Sequence, residues 1–271
     1  VEGWIKFNIA DLAGTSRISL FGQNDVVEFG FINPTTIELY TLGGGSFTTP
    51  IPATLGNNAW HHIAAVGNGT NMIIYIDGVS TATGGFATGN YGASLFTEKI
   101  GAGVIDATGG GFTGQIKKVG FYNTALSAAT IISLASTPTT YTGSEAGLLA
   151  GYNFTEGVGN TLTRLPAGIN GTLTNSPQWI YTYSWTKAGT PIASTKNISG
   201  LPAGEYNLSI GIIGVSCPKT TSYSVSPTNI YNTSWSLGAP PTANQNIEFT
   251  GNYSLATDVT ACSCTVTSGT V

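Results

Sequence analysis

Charged residues are scarce in this chain. Asp, Glu, Lys and Arg make up 8% of its 271 residues, against about 25% in an average protein. The net charge is −4, and the nine basic residues are scattered along the chain. The sequence therefore lacks the basic patch of a nucleic-acid-binding protein or of a protein that binds an anionic membrane. Thr, Ser, Asn and Gly must supply most of the polar surface.

Long apolar runs are also missing. No stretch approaches the roughly 18 to 20 apolar residues that cross a bilayer, and the first residues lack the basic flank and apolar core of a signal peptide. Apolar residues nevertheless make up 41% of the chain, with 11 Phe, 12 Tyr and 5 Trp. This content disfavours disorder, and the length allows two domains.

The few cysteines lie near the end of the chain. Cys217, Cys262 and Cys264 are the only three. A zinc site at Cys262-Ser263-Cys264 would need a longer spacer and further ligands, so we predict disulfide bonding and name all three as candidates. The connectivity stays open. The odd number leaves one thiol free or paired beyond Val271.

The chain has only two histidines, and they are adjacent. His61 and His62 must point to opposite faces of one strand, so they cannot share a metal ion or form an acid–base couple. The Gly-Xaa-Ser-Xaa-Gly turn of serine hydrolases is absent. We predict architectural histidines, no catalytic residue, no cofactor-binding residue and no enzyme activity.

Two-residue alternation is the main structural signal. Trp60, His62, Ala64 and Val66 alternate with their neighbours, and the later Asp77-Gly78 pair is typical of a type I′ hairpin. Turns rich in Gly, Pro and Asn separate the predicted strands, which are 28–32, 36–40, 61–66, 72–76, 99–101 and 115–122. This pattern predicts an all-β, antiparallel sandwich.

One segment has a helical pattern. Ser127 is a good N-cap, and residues 128–134 carry apolar side chains at helical spacing, ending before Pro138. We therefore predict one short helix.

Two segments resemble a known family. Asn58 to Val79 contains Trp-His-His-Ile-Ala-Ala-Val and Ile-Tyr-Ile-Asp-Gly, and residues 112–123 are followed by the helical segment. Together they resemble the laminin-G-like, concanavalin-A-type lectin/glucanase domain. The resemblance implies a jelly-roll β-sandwich over residues 1–180, closed by the segment from Leu148 to Trp179. Relatives carry a strand before Val1, so we expect the first strand to be missing and the chain to be a piece of a longer polypeptide.

The resemblance also suggests a bound Ca²⁺, because this fold often holds one at the sandwich rim. Asn24, Asp25, Asp106 and Glu156 fall in candidate loops. We assign no ligand set, so the metal residues stay unknown.

Glycan contacts and hydrolysis are two further possibilities for this fold. Phe47, Phe86 and Tyr91 lie in Gly-rich segments that would form a sugar-stacking edge. Glucanases of this type place Glu, Asp and Glu at alternating positions of one strand, and the matching strand here carries Lys117 and Lys118 instead. A hydrolase would require two facing carboxylates in a groove.

The sequence changes character after Tyr181. Tyr183-Ser184-Trp185, residues 196–206 and Cys217 resemble a small immunoglobulin-like repeat of large bacterial surface adhesins. We assign this repeat to residues 181–230. Its Leu-Pro-Ala-Gly-Glu-Tyr run predicts a turn followed by a strand.

Residues 231–271 resemble the start of a further β-rich region near the sorting domain of gliding-type adhesins exported by the type 9 secretion system. The resemblance implies a bacterial, extracellular or cell-surface location and contact with the secretion machinery during export.

These observations give one leading hypothesis and one alternative. The chain is expected to be a non-catalytic segment of a large secreted or cell-surface adhesin that binds an extracellular glycan or protein, or acts as a spacer. The alternative is a carbohydrate-binding or targeting segment of a secreted multidomain hydrolase. The ligand and the oligomeric state cannot be deduced from the sequence.

Overall fold

The structure of the chain is a computed structural model that describes residues 1–86, 92, 95–106, 110–212, 218–254 and 259–271. It divides into two compact units, Val1–Pro177 and Gln178–Val271. No helix among the described residues is both long enough and apolar enough to cross a membrane.

The first unit contains thirteen strands among its described residues. They are β1 (Glu2–Asn8), β2 (Ile18–Gln23), β3 (Val27–Asn33), β4 (Thr36–Thr41), β5 (Gly45–Pro50), β6 (Asn57–Gly67), β7 (Met72–Ile76), β8 (Val79–Gly84), β9 (Lys99–Ile100), β10 (Gln115–Tyr122), β11 (Leu148–Tyr152), β12 (Thr161–Leu162) and β13 (Gly171–Thr172). A 3₁₀ turn (Ile9–Leu12) follows β1, and the helix α1 (Ala128–Ser136) follows β10.

The strands form two main sheets. One has six strands in the order β11-β10-β1-β6-β7-β8, and the other has five in the order β5-β4-β3-β2-β9. Every pairing within them is antiparallel. The predicted antiparallel β-sandwich is thus confirmed, and β11 adds the segment after α1 to its six-stranded sheet.

The core lies between the two sheets. Alternate residues of each strand face it, so the six-stranded sheet contributes Ile5, Ile63 and Ile74 while the five-stranded sheet contributes Phe29 and Phe31, all fully buried or nearly so. Burying one such side chain stabilises a fold by about 1.5–3 kcal/mol.

The Asp-Gly hairpin forms as predicted. Asp77 and Gly78 have φ values of 51° and 81°, and β7 folds directly back into β8 with Ile76 opposite Val79. Both central residues of a type I′ turn require positive φ, which explains why this dipeptide marks the hairpin.

The predicted helix is also present. The Ser127 hydroxyl accepts a hydrogen bond from the Thr130 backbone N–H at 3.1 Å, which caps the first turn. On its inner side α1 buries Ile131 against Ala64, Val66 and Tyr75. The helix therefore covers part of the outer face of the six-stranded sheet.

The second unit contains two separate sheets among its described residues. Its strands are β14 (Tyr181–Lys187), β15 (Thr190–Ala193), β16 (Gly204–Ile212), β17 (Lys219–Val225), β18 (Asn229–Tyr231), β19 (Asn246–Phe249) and β20 (Ser263–Val266). The first four form an antiparallel sheet in the order β15-β14-β16-β17. Tyr206 and Leu208 alternate into its small core with Trp185, as the sequence pattern predicts.

The remaining three strands pair in parallel, in the order β18-β19-β20. Ile247, Phe249 and Tyr253 form a separate aromatic core there, with Tyr231 and Trp235 packed against it. The immunoglobulin-like assignment of residues 181–230 and the further region from 231 stay predictions.

Candidate functional site

The outer face of the six-stranded sheet carries the most unusual polar side chains of the first unit. Trp4 and Lys6 of β1 point to this face because Ile5 and Phe7 point to the core. Their neighbours across the sheet share the face: Trp4 lies between His62 and Lys117, and Lys6 lies between Trp60 and Gln115.

A β-bulge sets the arrangement at β10. The register with β1 shifts between Gly3, which is opposite Val119, and Trp4, which is opposite Lys117. Lys118 is the extra residue, and its φ is 53°. A bulge re-aims side chains locally, and here it places two consecutive lysines on the outer face.

Part of this face is a buried polar network. Glu2 has no exposed surface, and its carboxylate accepts hydrogen bonds from His62 Nε2–H at 3.0 Å and from the Tyr141 hydroxyl. Burial raises the pKa of Tyr141, and the Glu2 charge raises it further, so the hydroxyl remains a donor. Since Tyr141 follows α1, these bonds fasten that segment to the sheet.

Lys118 belongs to the same buried network. Its Nζ lies 4.7 Å from the Tyr141 ring centroid and is buried with no hydrogen-bond partner in the described part of the chain. Burial lowers the pKa of Lys118, while the Glu2 and Glu145 charges oppose that shift. The network is enclosed, which indicates an architectural role.

The uncovered part of the outer face forms a surface that we call the Trp–Lys face, composed of Trp4, Lys6, Trp60, Gln115 and Lys117. Lys117 Nζ lies 4.2 Å from the Trp60 ring centroid and 5.0 Å from that of Trp4. Trp60, Lys6, Gln115 and Lys117 are partly exposed, whereas Trp4 is buried. Partial burial lowers the pKa of Lys117.

Two polar atoms of the Trp–Lys face lack partners. Trp4 Nε1, a donor, and Gln115 Oε1, an acceptor, are both buried without a hydrogen bond in the described structure. Buried polar atoms nearly always have a partner. Both atoms have almost no exposed surface, so a ligand would reach them only after the side chains around them moved.

The two histidines have separate environments, as their adjacency predicts. His61 Nδ1 lies 2.7 Å from Asp77 Oδ2, and its Nε2 lies 2.9 Å from Asn57 Oδ1. Asp77 also accepts a bond from the His62 backbone N–H at 3.0 Å. His61 thus ties the hairpin to β6, while the His62 ring contacts Glu2 on the other face.

The candidate calcium residues make separate local contacts. Among the described residues, no group of three or more His, Cys, Asp or Glu side chains is placed to hold a metal ion. Asn24 and Asp25 donate hydrogen bonds to Glu28. Asp106 Oδ2 lies 3.8 Å from Arg17 Nε, and Glu156 accepts a hydrogen bond from the Thr163 backbone N–H. A bound Ca²⁺ therefore stays a prediction without an assigned ligand set.

Two buried carboxylates share the outer face of the five-stranded sheet. Glu28 lies opposite Tyr40, and Glu38 lies opposite Gly30, two residues further along β3. Glu28 accepts bonds from the Asn24 amide at 2.6 Å and the Asp25 N–H at 2.8 Å, and Glu38 accepts one from the Ser46 hydroxyl. These local bonds brace the adjoining turns.

The structure describes two of the three residues of the predicted aromatic edge. Phe86 is 59% exposed, whereas Phe47 packs against the core. Tyr91 lies outside the described residues.

The cysteines leave the disulfide prediction open. Cys262 and Cys264 are exposed and carry free thiols, and Cys217 lies outside the described residues. Disulfide bonding involving Cys217 stays a prediction.

Comparison with known proteins agrees with the fold of the first unit. Residues 1–132 match the family model of the concanavalin A-like lectin/glucanases superfamily. The match covers just under half of the chain and agrees with the antiparallel sandwich of the first unit. No curated protein matches the chain.

Among solved structures, the chain is similar to a protein of Bacteroides ovatus ATCC 8483 described as a putative carbohydrate binding protein. The sequence identity is 18% and the TM-score is 0.47. The similarity covers 63% of this chain and 50% of that chain, so it spans half the length of the Bacteroides protein.

The sequence alone does not predict the Trp–Lys face. Alternation placed Trp60 and His62 on one side of a strand, but the pairing with Trp4 and Lys6 depends on residues more than fifty positions away. The only local signal was the Lys117-Lys118 pair, and the sequence gives no indication of the bulge that turns both side chains outward.

Proposed function

We propose that the first unit is a non-catalytic glycan-recognition module that binds sugar rings on the Trp–Lys face. The observation that carries this proposal is the combination of a partly exposed Trp60 with the partly exposed polar side chains of Lys6, Gln115 and Lys117 on the same sheet face. Binding sites for small ligands typically combine aromatic surface with a few placed polar groups. The match to a family of lectins and glucanases also supports glycan binding.

The residue types of the Trp–Lys face suit a sugar. Lys117 Nζ lies 4.2 Å from the Trp60 ring centroid, so a pyranose ring would pack its apolar C–H groups on the part of the indole that Lys117 leaves exposed. Tryptophan contributes strongly to binding energy at interfaces. The ring hydroxyls would accept hydrogen bonds from the partly exposed Lys6 ammonium. A spacer role predicts no such ligand.

A glycan array probed with the chain tests this proposal. Trp60→Ala should weaken binding by about tenfold or more, since central aromatic residues are worth about 2 kcal/mol or more. Phe86→Ala, an exposed aromatic on the predicted alternative edge, is the matched control and should leave binding unchanged. Absence of binding to any glycan would contradict the proposal, as would binding lost in Phe86→Ala but retained in Trp60→Ala.

We propose further that the module serves a large bacterial adhesin, secreted or held at the cell surface. The polar, weakly charged composition and the adhesin-like motifs of the second half support this role. Detection of the protein on intact cells would agree with it, and a strictly cytoplasmic location would contradict it. The alternative, a carbohydrate-binding segment of a secreted hydrolase, predicts a catalytic domain in the flanking sequence rather than further repeats.

The non-catalytic part of the proposal has its own test. A hydrolase would need two carboxylates on one face, and Glu28 and Glu38 do share a face. Both are nevertheless buried and hydrogen-bonded locally. We expect no release of reducing ends from any bound glycan. Release that disappears in both Glu28→Gln and Glu38→Gln would favour a hydrolase instead.

A further inference from the structure

We infer that the glycan bound on the Trp–Lys face is acidic, with a carboxylate or sulfate group placed between Lys6 and Lys117. This inference rests on the proposed function and adds the chemical class of the ligand. It follows from the position and surroundings of these two lysines.

The two lysines converge on one part of the face. Lys6 lies opposite Gln115, and Lys117 lies opposite Trp4, so Lys6 and Lys117 are diagonal neighbours on adjacent strands. Diagonal positions are about 7–8 Å apart, which is within reach of two long side chains that bind one anion. Lys6 is also directly opposite Trp60, where the sugar ring would lie.

Neither lysine has an acidic partner in the described structure. The ion pairs found there involve Arg17, His61 and His62 only. Glu2 is the carboxylate on the same strand face, but it is fully buried and accepts bonds from His62 and Tyr141. The two ammonium groups are therefore not neutralised within the described part of the protein.

This positive charge is unusual for the chain. Its net charge is −4 with only nine basic residues, and three of them, Lys6, Lys117 and Lys118, lie on this one sheet face. Lys118 is enclosed in the network around Glu2, which leaves the other two available to a ligand.

A pyranose that stacks on Trp60 would carry its acidic group at the ring edge, toward the lysines. Uronic acids carry a carboxylate there, and sulfated sugars carry a sulfate. Both groups accept charge-assisted hydrogen bonds from ammonium groups. A neutral sugar would leave the two lysines without a counter-charge.

The test uses calorimetric titration with matched glycans. Oligogalacturonate and its fully methyl-esterified form have the same backbone but differ in charge, and dextran sulfate with dextran makes the second pair. We expect the acidic member of at least one pair to bind about tenfold or more tightly, and to weaken when salt rises from about 0.05 to about 0.5 M. Tighter binding of oligogalacturonate would indicate carboxylate recognition, and tighter binding of dextran sulfate would indicate sulfate recognition.

Variants assign the effect to the site. The double change Lys6→Gln with Lys117→Gln should remove about tenfold of the affinity for the acidic glycan and leave the neutral one little changed. Lys99→Gln, on the five-stranded sheet, is the matched control and should bind as the wild type does. Circular dichroism spectra that match the wild type would show that the double variant folds.

The outcomes are distinguishable. Equal binding of the charged and neutral partners, lost in Trp60→Ala, would overturn the acidic preference and keep glycan recognition. An acidic preference that survives the double lysine change would overturn the assigned anion site. Failure of every glycan in the array to bind would remove the proposed function itself, and binding of an acidic protein but no glycan would replace the ligand class.

Discussion

Removal of the Tyr141 hydroxyl tests the buried network of the six-stranded sheet. Tyr141 is 4% exposed and Glu2 is 0% exposed, so no water replaces the bond when Tyr141→Phe deletes the donor. A hydrogen bond to a charged group contributes about 1.5–3 kcal/mol. We therefore expect the free energy of unfolding of the first unit to fall by about 1.5–3 kcal/mol, which corresponds to about 3–12 °C in Tm for a unit of this size.

Urea unfolding followed by tryptophan fluorescence measures this loss. Tyr40→Phe is the matched control, because Tyr40 makes no side-chain hydrogen bond in the described structure and lies on the other sheet. Its effect should stay within about 0.5 kcal/mol. A loss for Tyr141→Phe no larger than that of the control would refute the claim that Glu2 and Tyr141 fasten the segment after α1 to the sheet.

Three further results are expected. Burial lowers the pKa of Lys118 from 10.5, so between the lowered value and 10.5 the unfolded chain binds a proton that the folded chain has released, and stability rises with pH. Lys118→Met should be more stable than the wild type near pH 7, and the difference between their free energies of unfolding should shrink by about pH 10. A difference that stays constant with pH in urea titrations would contradict this. Gly30→Ala would place a Cβ 2.2 Å from the Ile18 carbonyl oxygen and should cost about 3 kcal/mol. In the control Gly111→Ala the new Cβ would lie 3.8 Å from its nearest neighbour, so this variant should be as stable as the wild type. Equal losses of stability in the two variants would contradict the expected clash at Gly30. Glycan binding should persist in a chelator, because the Trp–Lys face contains no carboxylate, and a loss of binding would show that it depends on a metal ion.

Local signals predicted the local structure well. Asp77-Gly78 forms the hairpin with two positive φ values, and Ser127 caps the helix. The strand at 115–122 has the predicted bounds. Each of these features depends on residues close together in sequence, for which backbone preference and alternation suffice.

Features that depend on distant residues were not predictable in the same way. Tyr141 bonds to Glu2, 139 positions away, and Lys117 meets Trp4 only because the bulge at Lys118 shifts the register. Alternation assigns a face to each residue of one strand but does not fix which strands become neighbours or where a bulge falls. The parallel pairing of β18 with β19 likewise has no local signature.

Footprinting of the glycan-bound protein tests whether the glycan lies on the Trp–Lys face. Hydroxyl-radical oxidation followed by mass spectrometry reports the accessibility of individual side chains with and without the best-bound glycan from the array. The bound glycan should protect Trp60 and leave the oxidation of Phe86 unchanged. Protection of Phe86 with unchanged oxidation of Trp60 would contradict it.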